Sequence, residues 1–428
     1  MTDCRTSTLL PLLAAQRQQW TSHHDDPSNP RYNCGGYFRL TGGIDQVALR
    51  AAVTAAYSEA DMLRVRLAEV DGQPRQTVVE GGPAPLSSVA LPDEQAAFEW
   101  MRSALTVPFD LRNGDQMCSH ALIEVDSGEE FFFFLYHHIV LDAYGAHRYL
   151  ARVAQHYNSF VAGTATPKSG FARLEQLVAE ERAYRSSARA RRDDAYWRDV
   201  LATPLPWSAL APHEAPAQPK PLRSVVRVPD RTWSAFQDLS ARTGTRWPVV
   251  VQAVVACLLS EVTGSADIVI GMLAANRPTH AAVKTPTNMA NELPLRVDVD
   301  MDGTFIDLLD QVARRVAEAT THQRAHLDRQ DTPIALRTFV NVIAFGEQPR
   351  FFGCASEFHV LATGPASNFR VNCYGGLTGD HLLEYEVNPC IYDETALTRH
   401  QERLRDLLLN LVSSPDVRLS DTLTARTR

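Results

Sequence analysis

Two adjacent histidines, His137 and His138, with Asp142 four residues after the second, offer the most direct chemistry in this chain. An imidazole has its proton affinity closest to neutral pH, so it can take or give a proton under ordinary working conditions. The carboxylate can orient an imidazole or tie its own loop to a distant arginine. The pair follows the apolar stretch Phe131-Phe132-Phe133-Phe134-Leu135-Tyr136, and the run from Phe131 to Val140 reads as a buried strand. Neighbouring side chains of a strand point to opposite faces, so the two rings cannot share one cavity if the strand runs on. One is then expected to be a hydrogen-bonded core residue and the other free to meet a substrate. For so short a motif taken alone, a strand that merely surfaces is favoured by about two to one.

The elements around the motif belong to a mixed α/β chain. Tyr37 to Leu40, Leu63 to Leu67, Gln76 to Glu80 and Ser119 to Val125 read as strands. Asp45 is set to cap a helix that carries Val47, Leu49, Val53, Ala56 and Met62. A second helix is expected from His147 to Val161, with Leu150, Val153 and Tyr157 on one side. Thr203 to Leu222 holds prolines at 204, 206, 212, 216, 219 and 221, so it reads as an extended linker. Beyond it come strands at Val225 to Val228, Asp267 to Gly271 and Leu293 to Val299, an apolar helix at Val249 to Leu259, and an amphipathic one at Thr304 to Thr321. A last helix carries Leu397, Leu404, Leu408 and Leu411. We therefore expect an N-terminal region 1–180 with the histidines, a helix and linker over 181–222, and a C-terminal region 223–428.

Composition narrows the function classes. The 428 residues are 45% hydrophobic and 21% charged, with a net charge of −8, an ordinary globular balance without the basic stripe of a nucleic-acid binder. No apolar run approaches the ~18 residues that span a bilayer. No signal peptide is visible at Met1-Thr2-Asp3-Cys4-Arg5, so a cytoplasmic location is expected. Seven cysteines lie scattered from Cys4 to Cys390 without a CxxC pair, against a zinc site or disulfide framework, and no metal site is expected.

The surroundings of the histidines resemble a family. HHIVLDAYG, residues 137–145, resembles the HHxxxDG motif of the condensation domains of nonribosomal peptide synthetases, in the superfamily of chloramphenicol acetyltransferase and the carnitine acyltransferases. Leu12 to Trp20 is similar to the family's opening "LTxAQxxxW", Asn29 to Asn33 to "NPxYN", Glu59 to Leu67 to "ExxxLRxRF", and Pro108 to Leu111 to "PFDL". Ala195 to Trp197 resembles the usual helix before the linker. Ile268 to Pro278 is similar to "DIVIGxPxAGRP", Met289 to Arg296 to "FxNTLPLR", and Phe339 to Val342 to the late "FNV" strand, followed by Ala362 to Pro365. Two departures stand out. The motif glycine is Ala143, which is expected to narrow the space near His138. Asn368-Phe369-Arg370-Val371 and Cys373-Tyr374-Gly375-Gly376 stand where the family has DFGWG.

The resemblance implies two chloramphenicol-acetyltransferase-like α/β subdomains forming a V-shaped pseudo-dimer with a central tunnel. It makes His138 the catalytic residue, His137 a structural one, and Asp142 an anchor paired with Arg277 of the other half. Gly145 leads the loop onto the next helix, and Asn341 faces the tunnel. The activity implied is that of a free-standing, monomeric condensation enzyme without a permanent cofactor. An amine or hydroxyl acceptor attacks an acyl thioester held on the phosphopantetheine of a separate acyl or peptidyl carrier protein. Two alternatives remain open: a coenzyme A-dependent O- or N-acyltransferase, and a non-catalytic module that recruits carrier proteins.

Overall fold

The computed structural model describes residues 9–81, 86–218, 220–327, 335–343, 348–365, 368–375 and 381–423. The N-terminal pentapeptide with Cys4, Pro219 and Gly376 therefore lie outside the described residues.

The chain divides into two units. The first comprises Met1–Ser186 together with Arg277–Ala290 and Glu347–Gly364. The second takes Ser187–Asn276, Asn291–Gly346 and Pro365–Arg428. The units interleave in sequence, so two stretches of the expected C-terminal region are built into the first unit. Arg277, expected in the C-terminal region, is among the residues grouped with the first unit.

In the first unit a five-stranded sheet runs in the order Ala355–Thr363, Asn33–Thr41, Glu130–His137, Cys118–Val125, Leu86–Leu91. The phenylalanine run is its central strand, antiparallel to both neighbours. Phe132, Phe134 and Tyr136 enter a core with Leu49, Val53, Tyr149 and Val153 from helices Gln46–Glu59 and Ala143–Val161. Phe131, Phe133 and Leu135 enter a separate core with Ala97 and Met101 of helix Glu94–Leu105. Helices on both faces explain why this strand is apolar without alternation. It stops at His137, three residues short of the expected Val140. Asp45 accepts from Ala48 N at 2.9 Å and starts its helix as expected. Strand Ala355–Thr363 gave no sequence signal because most of its residues are half-exposed on both sides and no period-2 pattern survives.

The second unit has a six-stranded mixed sheet in the order Asn291–Asp298, Asp267–Ala274, Thr338–Ile343, Phe369–Tyr374, Leu382–Val387, Leu222–Arg227. Strand Thr338–Ile343 is parallel to both its neighbours and the remaining pairings are antiparallel. Helix Trp247–Thr263 is buried continuously from Val250 to Ser260, as its almost wholly apolar composition demands. It shares one core with Phe305, Leu308 and Val312 of helix Phe305–Thr321 and with Leu404, Leu408 and Leu411 of helix Glu394–Ser413.

Candidate active site

His137 ends the central strand and is 3% exposed, among the rings of His23, Tyr32 and Phe109. Its Nδ1 accepts from Ile139 N at 3.1 Å, which leaves the proton of the neutral ring on Nε2. Burial first, then the neighbouring His23 and His138, pushes its pKa well below the usual histidine value. His137 is thus a neutral core residue whose ring is spent on the turn that follows it.

His138 sits one residue beyond the strand and is only half-buried. Its backbone N–H donates to Tyr32 O at 2.8 Å, which fixes the main chain. Its Nδ1 meets Nε2 of Gln19, on helix Ala14–Asp25, at 3.1 Å. Gln19 Oε1 in turn accepts from Nδ2 of Asn288 at 2.8 Å. On the ring's other edge stands Gly364, whose φ of +98° suits a residue without a side chain. A Cβ there would lie 3.2 Å from Cδ2 of His138 and 3.9 Å from its Nε2. A side chain at position 364 would therefore press on that edge of the imidazole.

Asp142 spends both of its oxygens on the turn and on segment 277–290. It caps helix Ala143–Val161, and its Oδ1 accepts from Gly145 N at 2.7 Å and from Arg277 at 2.8 Å. Oδ2 accepts from the second Arg277 nitrogen at 2.9 Å and from Met289 N and Ala290 N at 2.9 and 3.0 Å. Burial pushes this carboxyl up, but the Arg277 guanidinium and the backbone donors outweigh it and hold the pKa below the ordinary aspartate value. Arg277 also donates to Thr287 O at 2.8 Å and lies over the Tyr144 ring at 4.5 Å. The ion pair therefore locks segment 277–290 against the turn that carries His138, and that segment delivers Asn288.

The tightest steric demand in this turn falls at Gly145. A Cβ on Gly145 would approach Thr287 O to 2.4 Å and Thr287 N to 2.9 Å. Ala143, at the first position of the helix, is exposed. The close backbone approach that demands a glycine falls two residues later, at Gly145.

Asn341 belongs to the second unit. It lies half-buried on the strand Thr338–Ile343, and its Nδ2 donates to Asn372 Oδ1 at 3.0 Å.

Sequence reading missed Gln19, Asn288 and Gly364. Gln19 and His138 are 119 residues apart, and Asn288 and Gln19 are 269 apart, so no local spacing could join them. The available signal was modest: all three lie in or beside segments that resemble family motifs.

Three comparisons bear on this site. The family model described as "Condensation domain" matches residues 6–332. Among curated proteins, the isonitrile lipopeptide synthase of Streptomyces coeruleorubidus is 30% identical over 99% of this chain, which spans 29% of that protein. A dimodular nonribosomal peptide synthase of Bacillus subtilis is 26% identical over 95% of this chain and 18% of its own length. Among solved structures, the first condensation domain of the calcium-dependent antibiotic synthetase, in complex with a substrate analogue, is 25% identical with a TM-score of 0.88, covering 97% of this chain and 99% of that one. A starter condensation domain of rhizomide synthetase in complex with C8-CoA is 27% identical with a TM-score of 0.88, covering 96% of this chain and 97% of that one.

Proposed function

The chain belongs to the condensation domain family of acyltransferases, and from that premise we propose that it joins an amine to an acyl group presented as a thioester on a carrier protein's phosphopantetheine arm. The observation that carries this reading is the imidazole of His138. It stands just past the end of a doubly covered strand, half-exposed, with one nitrogen held by Gln19 and the small Gly364 beside its opposite edge.

Attack of an amine on a thioester forms a C–N bond, moves the carbonyl π pair onto oxygen, and then expels a thiolate. The departing sulfur is a good leaving group and needs little acid help. His138 answers the demand at the tetrahedral stage, either by taking the proton of the attacking nitrogen or by holding the charge that develops there. A group in that role contributes about 10²–10⁴-fold. Fixing two tethered reactants beside it contributes as much or more. Asp142 and Arg277 keep the turn in place and take no part in proton transfer. Asn341 is proposed as a substrate contact.

Coenzyme A as the acyl carrier is a second reading, favoured by the C8-CoA complex of the similar starter domain. Reconstitution with octanoyl-loaded carrier protein and with octanoyl-coenzyme A, each offered amine and hydroxyl acceptors, separates the two. His138→Ala is expected to lose about 10²–10⁴-fold in kcat/KM with the true donor. Undiminished turnover in that variant overturns the reading.

A further inference from the structure

The contact between Gln19 and His138 decides which ring nitrogen carries the proton. An amide nitrogen only donates, so Gln19 Nε2, at 3.1 Å, makes Nδ1 of His138 the acceptor. A neutral imidazole with Nδ1 accepting keeps its single hydrogen on Nε2. The opposite orientation of Gln19, with Oε1 facing the ring, would require Nδ1–H and would leave Nε2 with a lone pair. The two orientations give the reacting edge opposite chemistry.

Asn288 selects between them. Its Nδ2 donates to Gln19 Oε1 at 2.8 Å, which turns that carbonyl away from the ring. Asn288 is 1% exposed, and its Oδ1 accepts no hydrogen bond among the described residues. Reversing both amides would carry two N–H donors into the buried position where this oxygen now sits. Buried donors without partners are rarer and costlier than an underused carbonyl oxygen. Asn288 is itself held by its neighbours, since Thr287 O accepts from Arg277 and Met289 N donates to Asp142.

We propose that Gln19, oriented by Asn288, is a positioning residue that holds neutral His138 as the Nε2–H tautomer, so that His138 enters the reaction as a hydrogen-bond donor to the acyl oxygen. As the nitrogen attacks, the C–N bond forms and the carbonyl pair moves to oxygen, where Nε2–H stabilises it without giving up its proton. Collapse breaks the C–S bond, and the proton lost by nitrogen ends on the departing sulfur, giving amide and thiol. The hydrogen-bond donor role rests on the acyl-transfer reading above; the tautomer does not.

The test is a long-range ¹H–¹⁵N correlation spectrum of the full chain labelled at histidine nitrogens, with His138→Ala identifying the signals. Wild type in its neutral form is expected to show hydrogen on Nε2. Gln19→Glu places an acceptor-only carboxylate at Nδ1 and is expected to move the hydrogen there. Gln19→Leu, which keeps the bulk and loses the donor, is expected to give a mixture of tautomers and to lower kcat about tenfold with KM little changed, with Gln19→Asn restoring neither in full. Hydrogen on Nδ1 in wild type overturns the proposal, as does a Gln19→Leu protein with the wild-type tautomer and kcat. An Nε2–H wild type whose His138→Ala variant is fully active leaves the tautomer standing and sinks the acyl-transfer reading instead.

Discussion

Each unit holds buried carboxylates, and the two solutions differ. In the first unit Asp142 stands alone with one arginine and three backbone N–H groups, and every bond it makes fixes the turn after His138. In the second, Glu384 and Glu386, both at most 1% exposed, share their donors. Asn372 Nδ2 bonds to both acids at 3.0 and 3.2 Å, and Arg223 pairs with both. Tyr374 adds a bond to Glu384 at 2.6 Å, and Arg370 adds one to Glu386 at 3.3 Å. With its Nδ2 spent on the acids, Asn372 turns its carbonyl toward Asn341 and accepts from that residue's Nδ2. A single carboxylate with private partners concentrates the consequences of its loss. A shared network spreads them.

The largest effect should follow removal of Asp142. Asp142→Ala leaves the Arg277 guanidinium, 3% exposed at its side chain, as a buried charge without its carboxylate and frees three N–H groups. We expect a loss of about 3–5 kcal/mol in chemical denaturation. Glu386→Gln should cost less, about 1–3 kcal/mol, because Arg223 keeps Glu384 and Asn372 keeps one acid. Equal losses would break the contrast between private and shared partners. The pH dependence follows from the same pair. Asp142 has a folded pKa below its ordinary value of 3.8, so its stabilisation is complete above that value and fades as the pH falls below it. Asp142→Asn should remove that acid-side fall; an unchanged acid limb of the stability curve would show that Asp142 does not contribute to it.

Next in size is Gly145→Ala. The added methyl meets backbone atoms of Thr287 at 2.4 and 2.9 Å, and neither can give without moving the segment that the ion pair holds. We expect a cost of about 1–3 kcal/mol, with a drop in activity as Asn288 shifts with Thr287. Gly364→Ala should come next. It places an alanine at φ +98° and brings a Cβ to 3.2 Å from the His138 ring, so about 1–2 kcal/mol of strain is expected together with reduced kcat. Activity that survives either change undiminished would separate the geometry of this turn from catalysis.

The sequence showed most of the framework and only part of the site. The phenylalanine run, the Asp45 cap and the buried helix at Val250–Ser260 were legible because each is set by a local pattern of apolar spacing or capping. The partnership of Asp142 and Arg277 entered through motif resemblance, since 135 residues separate them. The interleaving of the units was not legible, because nothing local to residues 277–290 or 347–364 says which core they join. Nor was the amide chain on His138. Glutamine and asparagine have no distinctive spacing, and their value here arises only when three distant segments meet at one ring.

The smallest effect expected is at Ala143, the departure that looked most consequential in sequence. Restoring the motif glycine by Ala143→Gly changes the first position of helix Ala143–Val161, where the residue is exposed and the backbone N–H has no intrahelical partner. Glycine is less favourable than alanine in a helix interior by about 1 kcal/mol, and less so in a first turn, so a stability loss within about 0.5 kcal/mol is expected. The close contact that demands glycine is met by Gly145, and the histidine is steered by Gln19 and Gly364. Activity with a carrier-bound donor should therefore stay within about twofold of the parent, a difference of about 0.4 kcal/mol in the barrier. A gain of tenfold or more on this substitution would show that the alanine methyl obstructs the acyl donor, and would move the steric control of the site from Gly145 and Gly364 back to the residue after Asp142.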